Sequence, residues 1–157
     1  MNDAMNMTSL TKTTRHRWRK LVCAALLTLI LPVAQGVIDE AHDYTMEAAT
    51  PFVEQGFTVR EDYWNGEVES GQKLAVRHQL FKGNEYVFWL GTANEGCEIE
   101  LSVFDAKGQP VHMERKPEKH TCSVRVNPPR TGTYTVVFAV KSKTQRGVTW
   151  ALAYGYR

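Results

Sequence analysis

The segment NPPRTGTYTVVFAV, residues 127 to 140, decides the fold class of this chain. Proline cannot donate a backbone hydrogen bond to a sheet and glycine allows a tight turn, so PPRTG ends one strand and starts another. In the strand that follows, every second residue is large and apolar: Tyr134, Val136, Phe138 and Val140. A repeat of two residues is typical of a strand that buries one face.

The same period recurs along most of the chain after residue 56. It is clear in QKLAVRHQL (72–80), EYVFWLGTA (85–93), CEIELSVFD (97–105), CSVRVN (122–127) and GVTWALAYGYR (147–157), and weaker in FTVRED (57–62) and PVHMER (110–115). Short strands with turn signals every eight to twelve residues indicate a sandwich or barrel. We therefore predict an all-β fold over residues 56–157, an antiparallel β-sandwich of jelly-roll-like topology.

The front of the chain has a different composition. RHRWRK (15–20) is followed by the uncharged run LVCAALLTLILPVA (21–34) and by small residues at Ala34 and Gly36. This order predicts a signal peptide over residues 1–36, because the apolar run is shorter than the roughly 20 residues that span a bilayer. The alternative is an uncleaved membrane anchor. Residues 37–55 lack strand periodicity and are predicted to be a linker with at most one helical turn.

The signal peptide implies a periplasmic or secreted protein with no membrane span after cleavage. Five of the 19 Lys and Arg residues lie in the leader, so the remaining chain has a slight excess of acidic residues. A nucleic-acid-binding protein needs a clustered basic face, and we therefore expect no nucleic-acid partner.

Two cysteines remain outside the leader, after Cys23 is removed with it. Cys97 and Cys122 both fall on the apolar face of their strands, and an even number of cysteines in an exported domain indicates one disulfide. The short strand PVHMER lies between the two in sequence, so in one meandering sheet the cysteines would be two strand spacings apart, about 9.6 Å, which is too far for a disulfide. The bridge is therefore expected to join facing sheets, or strands made adjacent by a crossing connection. The alternative is two free thiols.

The stretch from about 64 to 140 resembles the bacterial pre-peptidase C-terminal domain family. The similar segments are LFKGNEYVF, IELSVFDAKG and PRTGTYTV, and the residues that match are Leu80, Gly83, Tyr86, Phe88, Leu101, Phe104, Asp105, Gly108, Pro129, Thr131, Gly132, Tyr134 and Val136. The resemblance implies a secreted, non-catalytic jelly-roll sandwich of the kind often appended to exported enzymes. Family members tend to carry aspartates where this chain has Glu98 and Glu100.

Nothing in the sequence indicates a catalytic centre. There is no G-x-S-x-G motif, and the histidines that could act as a base are scattered: His42, His78, His112 and His120. His78 lies on an apolar strand face, where a hydrogen-bonded rim position is the simpler interpretation. We predict that the protein is not an enzyme. The alternative is a small hydrolytic or metal-dependent periplasmic enzyme.

Metal ligands are a weaker possibility. His112 and Glu114 share one side of a strand, but their spacing matches no zinc signature. Oxygen atoms of Glu98, Glu100 and Asp105 could bind calcium, although these residues would equally form a solvated polar face. We predict no cofactor, with calcium as the open alternative.

Three aromatic residues are the candidates for ligand contact. Tyr63 and Trp64 lie in the loop-like EDYWNGE, and Trp89 points away from the face that holds Tyr86 and Phe88. Exposed aromatic rings suit sugar rings or protein partners, whereas burial beneath the N-terminal segment is the alternative. We predict a non-catalytic module that binds an envelope protein or polysaccharide. A structural or inhibitory periplasmic protein is the third hypothesis.

Overall fold

The computed structural model describes residues 34–60 and 62–157. The predicted signal peptide up to residue 33, with Cys23, lies outside the described residues. The elements are α1 (Ala34–Glu54), β1 (Thr58–Val59), β2 (Trp64–Glu69), β3 (Leu74–Leu80), β4 (Tyr86–Gly91), β5 (Glu98–Phe104), β6 (Met113–Pro117), β7 (Thr121–Val126), β8 (Gly132–Lys141) and β9 (Gly147–Tyr156). No helix in the described part is long and apolar enough to span a membrane.

The strands form two sheets in which every pairing is antiparallel. The larger sheet has the order β1-β9-β4-β7-β6, and β2 also pairs with β9. The smaller sheet has the order β3-β8-β5. From β2 to β6, consecutive strands alternate between the sheets. The antiparallel all-β fold predicted from the two-residue period is therefore confirmed.

The core consists of the inward side chains of both sheets. In β8 the four apolar residues of the opening segment are all buried, at 3% exposure or less. In β9 the inward residues Val148, Leu152 and Tyr154 pack in the same cluster. The turn before β8 is tied to its neighbours, because Tyr134 Oη donates to the Arg130 carbonyl oxygen (2.8 Å) and Lys82 N donates to Thr131 Oγ1 (2.9 Å).

The segment predicted to be a linker forms helix α1, which packs on the outer face of the larger sheet. Its buried positions, Ala41, Thr45 and Ala49, are four residues apart and form one stripe along the helix. These residues are small and one is polar, so the stripe gives little hydrophobic periodicity in the sequence. The helix ends at Glu54, and in the turn that follows Gly56 has a φ of 86°, which favours glycine.

The segment predicted to be a loop around Trp64 forms strand β2, which pairs with β9 from Trp64↔Leu152 to Glu69↔Gly147. Asn65 and Gly66 resemble a turn signal in the sequence. In the structure Gly66 lies opposite Trp150, and a Cβ at this position would lie 3.4 Å from the indole ring. Glycine here makes room for a large cross-strand neighbour.

The predicted disulfide is not present, because Cys97 and Cys122 are both free. Cys122 lies in β7 of the larger sheet, and Cys97 immediately precedes β5 of the smaller sheet. Each sulfur has another partner: Arg115 Nε donates to Cys122 Sγ (3.2 Å), and the Cys97 thiol donates to the Glu95 carbonyl oxygen (3.9 Å). Arg115 also donates to the Ile99 carbonyl oxygen and so links the two sheets beside the thiols.

Candidate functional site

Trp89 is on the outer face of β4, as predicted, but that face is covered. Its side chain is 0% exposed, and its ring lies 5.2 Å from the ring of Phe52 on α1 in an edge-on contact. A Cβ added at Gly155 would lie 2.9 Å from the indole, so the neighbouring strand also fits closely. Trp89 is therefore not available to a ligand in this structure, because the N-terminal helix buries it.

Tyr63 and Trp64 face different surroundings. Tyr63 is 39% exposed, and its ring stacks on His42 of α1 with 4.0 Å between centroids. Trp64 is half-buried and packs toward the core, where its ring lies 6.0 Å from both His78 and Tyr154. The structure therefore does not bring the three predicted contact residues into one exposed aromatic patch.

The candidate metal ligands are also dispersed. Glu98 and Glu100 project from β5, and an ion pair with Lys141 lowers the pKa of Glu100. Asp105 Oδ1 accepts hydrogen bonds from the backbone nitrogens of Lys107 and Gln109, both at 2.9 Å, and so stabilises the turn after β5. Such side-chain-to-backbone bonds are typical of turns that begin with aspartate.

The other two candidates are both exposed: His112 lies just before β6, and Glu114 lies near its start. In the part of the chain that the structure describes, no three His, Cys, Asp or Glu side chains are grouped as a metal site requires. The sequence pattern placed His112 and Glu114 on one side of a strand, but the tertiary structure supplies no third ligand beside them.

Three histidines that a hydrolytic centre would need lie in separate environments. His78 is half-buried, with its ring 4.1 Å from Tyr154, and burial lowers the pKa of its imidazole. His120 stacks on Tyr44 of α1 at 4.3 Å, and its buried Nδ1 has no hydrogen-bond partner among the described residues. His112 is exposed. These residues do not line a common cleft.

A groove of about 610 Å³ lies on the outer face of the smaller sheet, and we call it the outer groove. It is lined by Arg77, Phe104, Asp105, Ala106, Gly108, Thr133, Thr135 and Val137. Thr135 on the central strand pairs with Arg77 on one side and with Phe104 on the other. Because directly paired residues project to the same face of a sheet, these three side chains form one row across the groove.

The polar groups of the outer groove are only partly engaged. Thr133 Oγ1 donates to Gln79 Oε1 (3.2 Å), whereas exposed Arg77 has no ion pair or hydrogen bond with another described side chain. The groove thus combines a guanidinium, a carboxylate, threonine hydroxyls and an aromatic ring. Sequence reasoning missed it because the register of β3, β8 and β5 assembles it from distant segments.

A second groove of about 590 Å³ lies between α1 and the β6–β7 hairpin. Its rim carries charges of both signs. Both lysines are already paired, Lys116 with Glu118 at 2.7 Å and Lys119 with Glu95 at 3.0 Å, whereas Glu47 forms no ion pair with another described residue. An anionic ligand would therefore compete with a carboxylate for each of the two lysines. The outer groove, with an uncompensated guanidinium, is therefore the stronger candidate for a binding site.

No protein-family model and no curated protein matches this chain. The resemblance to the pre-peptidase C-terminal domain family consequently stays a prediction. We therefore infer the function from the geometry of the outer groove.

Proposed function

We propose that this protein is a non-catalytic binding module that holds a polysaccharide chain in the outer groove. The observation that carries the proposal is the row Arg77–Thr135–Phe104 on a sheet face that α1 does not cover. Helix α1 packs against the larger sheet, on the opposite side of the sandwich. The groove is thus open along the smaller sheet, as an extended ligand requires.

The chemistry of the row suits a sugar ring. Threonine hydroxyls both donate and accept hydrogen bonds, which matches the hydroxyl groups of a saccharide. The face of an aromatic ring offers an apolar plate for the C–H groups of a pyranose, and half-buried Phe104 supplies one. Arg77 contributes a planar guanidinium with several donors in fixed directions.

The proposal includes export to the periplasm or beyond. Cleavage after Gly36 would remove only the first residues of α1 and would leave Ala41, Thr45 and Ala49 on the sheet. The processed chain would therefore keep the helix that covers Trp89. We also propose that the two sheets form a sandwich of jelly-roll-like topology.

In an oxidising compartment, we propose that Cys97 and Cys122 form a disulfide between the facing sheets. The two thiols would give two electrons and two protons to the disulfide of an exchange partner, which becomes a dithiol. The bond would stabilise the fold by about 3 kcal/mol on loop-closure grounds. Thiol alkylation of the protein isolated from the periplasm, followed by intact mass, tests this. Alkylation of both cysteines without prior reduction would contradict it.

The function is tested by the thermal midpoint of the purified exported protein in a panel of neutral and acidic oligosaccharides, with calcium, zinc and EDTA as further conditions. A saccharide that binds the folded state raises the midpoint by mass action. Thr135→Val removes one hydroxyl from the groove at nearly constant volume, and should weaken saccharide binding about fivefold if one hydrogen bond worth about 1 kcal/mol is lost. Thr144→Val, in the exposed loop after β8, is the matched control.

A midpoint that does not rise with any saccharide would reject the polysaccharide proposal. A rise that Thr135→Val and Thr144→Val reduce equally would reject the outer groove as the site. A rise with calcium or zinc alone would favour the metal-binding alternative, and a pull-down from the envelope would then test for a protein partner.

A further inference from the structure

We propose that the outer groove selects acidic saccharides, whose anionic groups are bound by Arg77. This inference rests on the proposed function and names the class of saccharide. The guanidinium of Arg77 is isolated from other charges. Its outward neighbours along β3 are Ala75 and Gln79, both neutral, and its cross-strand neighbour is Thr135. No described carboxylate lies within ion-pair distance of Arg77.

Asp105 is the one carboxylate among the residues that line the groove. Its Oδ1 accepts hydrogen bonds from two backbone nitrogens of the β5–β6 turn, those of Lys107 and Gln109. The carboxylate is therefore held by the turn and forms no ion pair with Arg77. An incoming anion would find a guanidinium that no described side chain has satisfied.

The loops around the groove also contribute positive charge. The end of β3 pairs with the start of β8 at Leu80↔Gly132. The turn after β5 lies at the same end of the strands. The loops that follow or precede these ends carry exposed basic residues: Lys82, Lys107 and Arg130. None of these side chains forms an ion pair with another described residue. A positive potential at this end of the smaller sheet would attract a polyanion toward the groove.

Guanidinium recognition gives a specific chemical expectation. A guanidinium binds a carboxylate through two parallel N–H···O bonds, which an ester of the same acid cannot accept as strongly. An oligogalacturonate and its methyl ester therefore form a matched pair of probes that differ in charge and little else. We expect the acid to bind at least tenfold more tightly than the ester at low salt. The difference should shrink at high salt, because exposed charges are screened.

The experiment is calorimetric titration of the full exported protein with both probes, at low and high salt. Arg77→Gln should reduce the preference for the acid to about twofold or less, and Arg77→Lys should keep part of it because the charge remains but the bidentate geometry does not. Arg146→Gln is the control, since Arg146 is exposed in the loop between β8 and β9, away from the outer groove. It should leave the preference unchanged.

The outcomes separate this inference from the proposed function. Equal binding of acid and ester, or an unchanged preference in Arg77→Gln, overturns the acidic selectivity and leaves a saccharide site standing. Binding of neither probe overturns the acidic selectivity as well. If no other saccharide of the panel binds either, the proposed function falls with it. Because Arg77 is exposed, we expect its variants to have thermal midpoints close to that of the parent protein. Such midpoints would show that a loss of acid preference is not caused by unfolding.

Discussion

Gly91 is the point of close approach between α1 and the larger sheet, and its replacement by alanine should weaken the whole domain. A Cβ at Gly91 would lie 2.7 Å from the Ala41 carbonyl oxygen and closer still to Thr45 Oγ1. Neither distance is tolerated by real carbon atoms, and one of the two atoms belongs to the helix backbone. The helix must therefore move away from β4 in Gly91→Ala.

The cost of that movement follows from what the contact now contains. Thr45 Oγ1 lies within hydrogen-bonding distance of both the Ala151 carbonyl oxygen (3.2 Å) and the Ala41 carbonyl oxygen (2.8 Å), and the bond to the sheet would lengthen. Overpacking a close-fitting interface costs about 1–3 kcal/mol, and a buried hydrogen bond contributes about 1 kcal/mol. We expect Gly91→Ala to lower the free energy of unfolding by about 2–4 kcal/mol, measured by urea denaturation with tryptophan fluorescence.

Gly132→Ala is the matched control, because no atom lies within 4 Å of a Cβ at that position. Its free energy of unfolding should stay within about 0.5 kcal/mol of the parent value. Adding Thr45→Ala to Gly91→Ala removes one of the two clashing atoms and should recover part of the lost stability. Equal stability of Gly91→Ala and Gly132→Ala would refute the close seating of α1 on the sheet.

Two further predictions concern the aromatic and histidine side chains. Burial lowers the pKa of His78 from its ordinary 6.5, so the unfolded imidazole protonates first as pH falls; the free energy of unfolding should decrease below about pH 6.5. His78→Phe should flatten this dependence in urea midpoints from pH 8 to pH 5.5, whereas His112→Phe should not, and equal slopes would contradict the argument. Trp89→Ala should lower the free energy of unfolding in urea by about 3–5 kcal/mol, and Tyr63→Ala should lower it by about 1 kcal/mol or less. A Trp89→Ala variant that stays stable but loses saccharide binding would contradict a packing role for Trp89.

The strands were predictable because their period records burial directly. In TYTVVFAV every second residue from Tyr134 to Val140 is large and apolar, and the structure buries these four side chains in the core. Helix α1 was missed because Ala41, Thr45 and Ala49 touch the sheet. Small residues allow the helix to lie close, but they have too little hydrophobicity to mark a helical face. Their importance becomes visible only in the tertiary structure, where Ala41 and Thr45 lie against Gly91 of β4.

The candidate site could not be predicted in the same way. Arg77, Phe104 and Thr135 are distant in sequence and become neighbours only through the register of β3, β8 and β5. The outward orientation of Trp89 was predicted correctly from alternation. Whether an outward position meets solvent depends on what packs over the sheet, and alternation along one strand contains no information about α1.

The two outer faces of the sandwich differ in a way that links stability to function. The larger sheet presents Val87, Trp89 and Ala153 outward, and these apolar side chains are buried under α1. The smaller sheet presents Arg77 and the threonines of β8, which can stay in contact with water and therefore need no cover. Because the helix and the outer groove occupy opposite faces, Gly91→Ala should lower stability without changing the saccharide affinity of the folded protein. A shared loss of both would place the ligand against α1 instead.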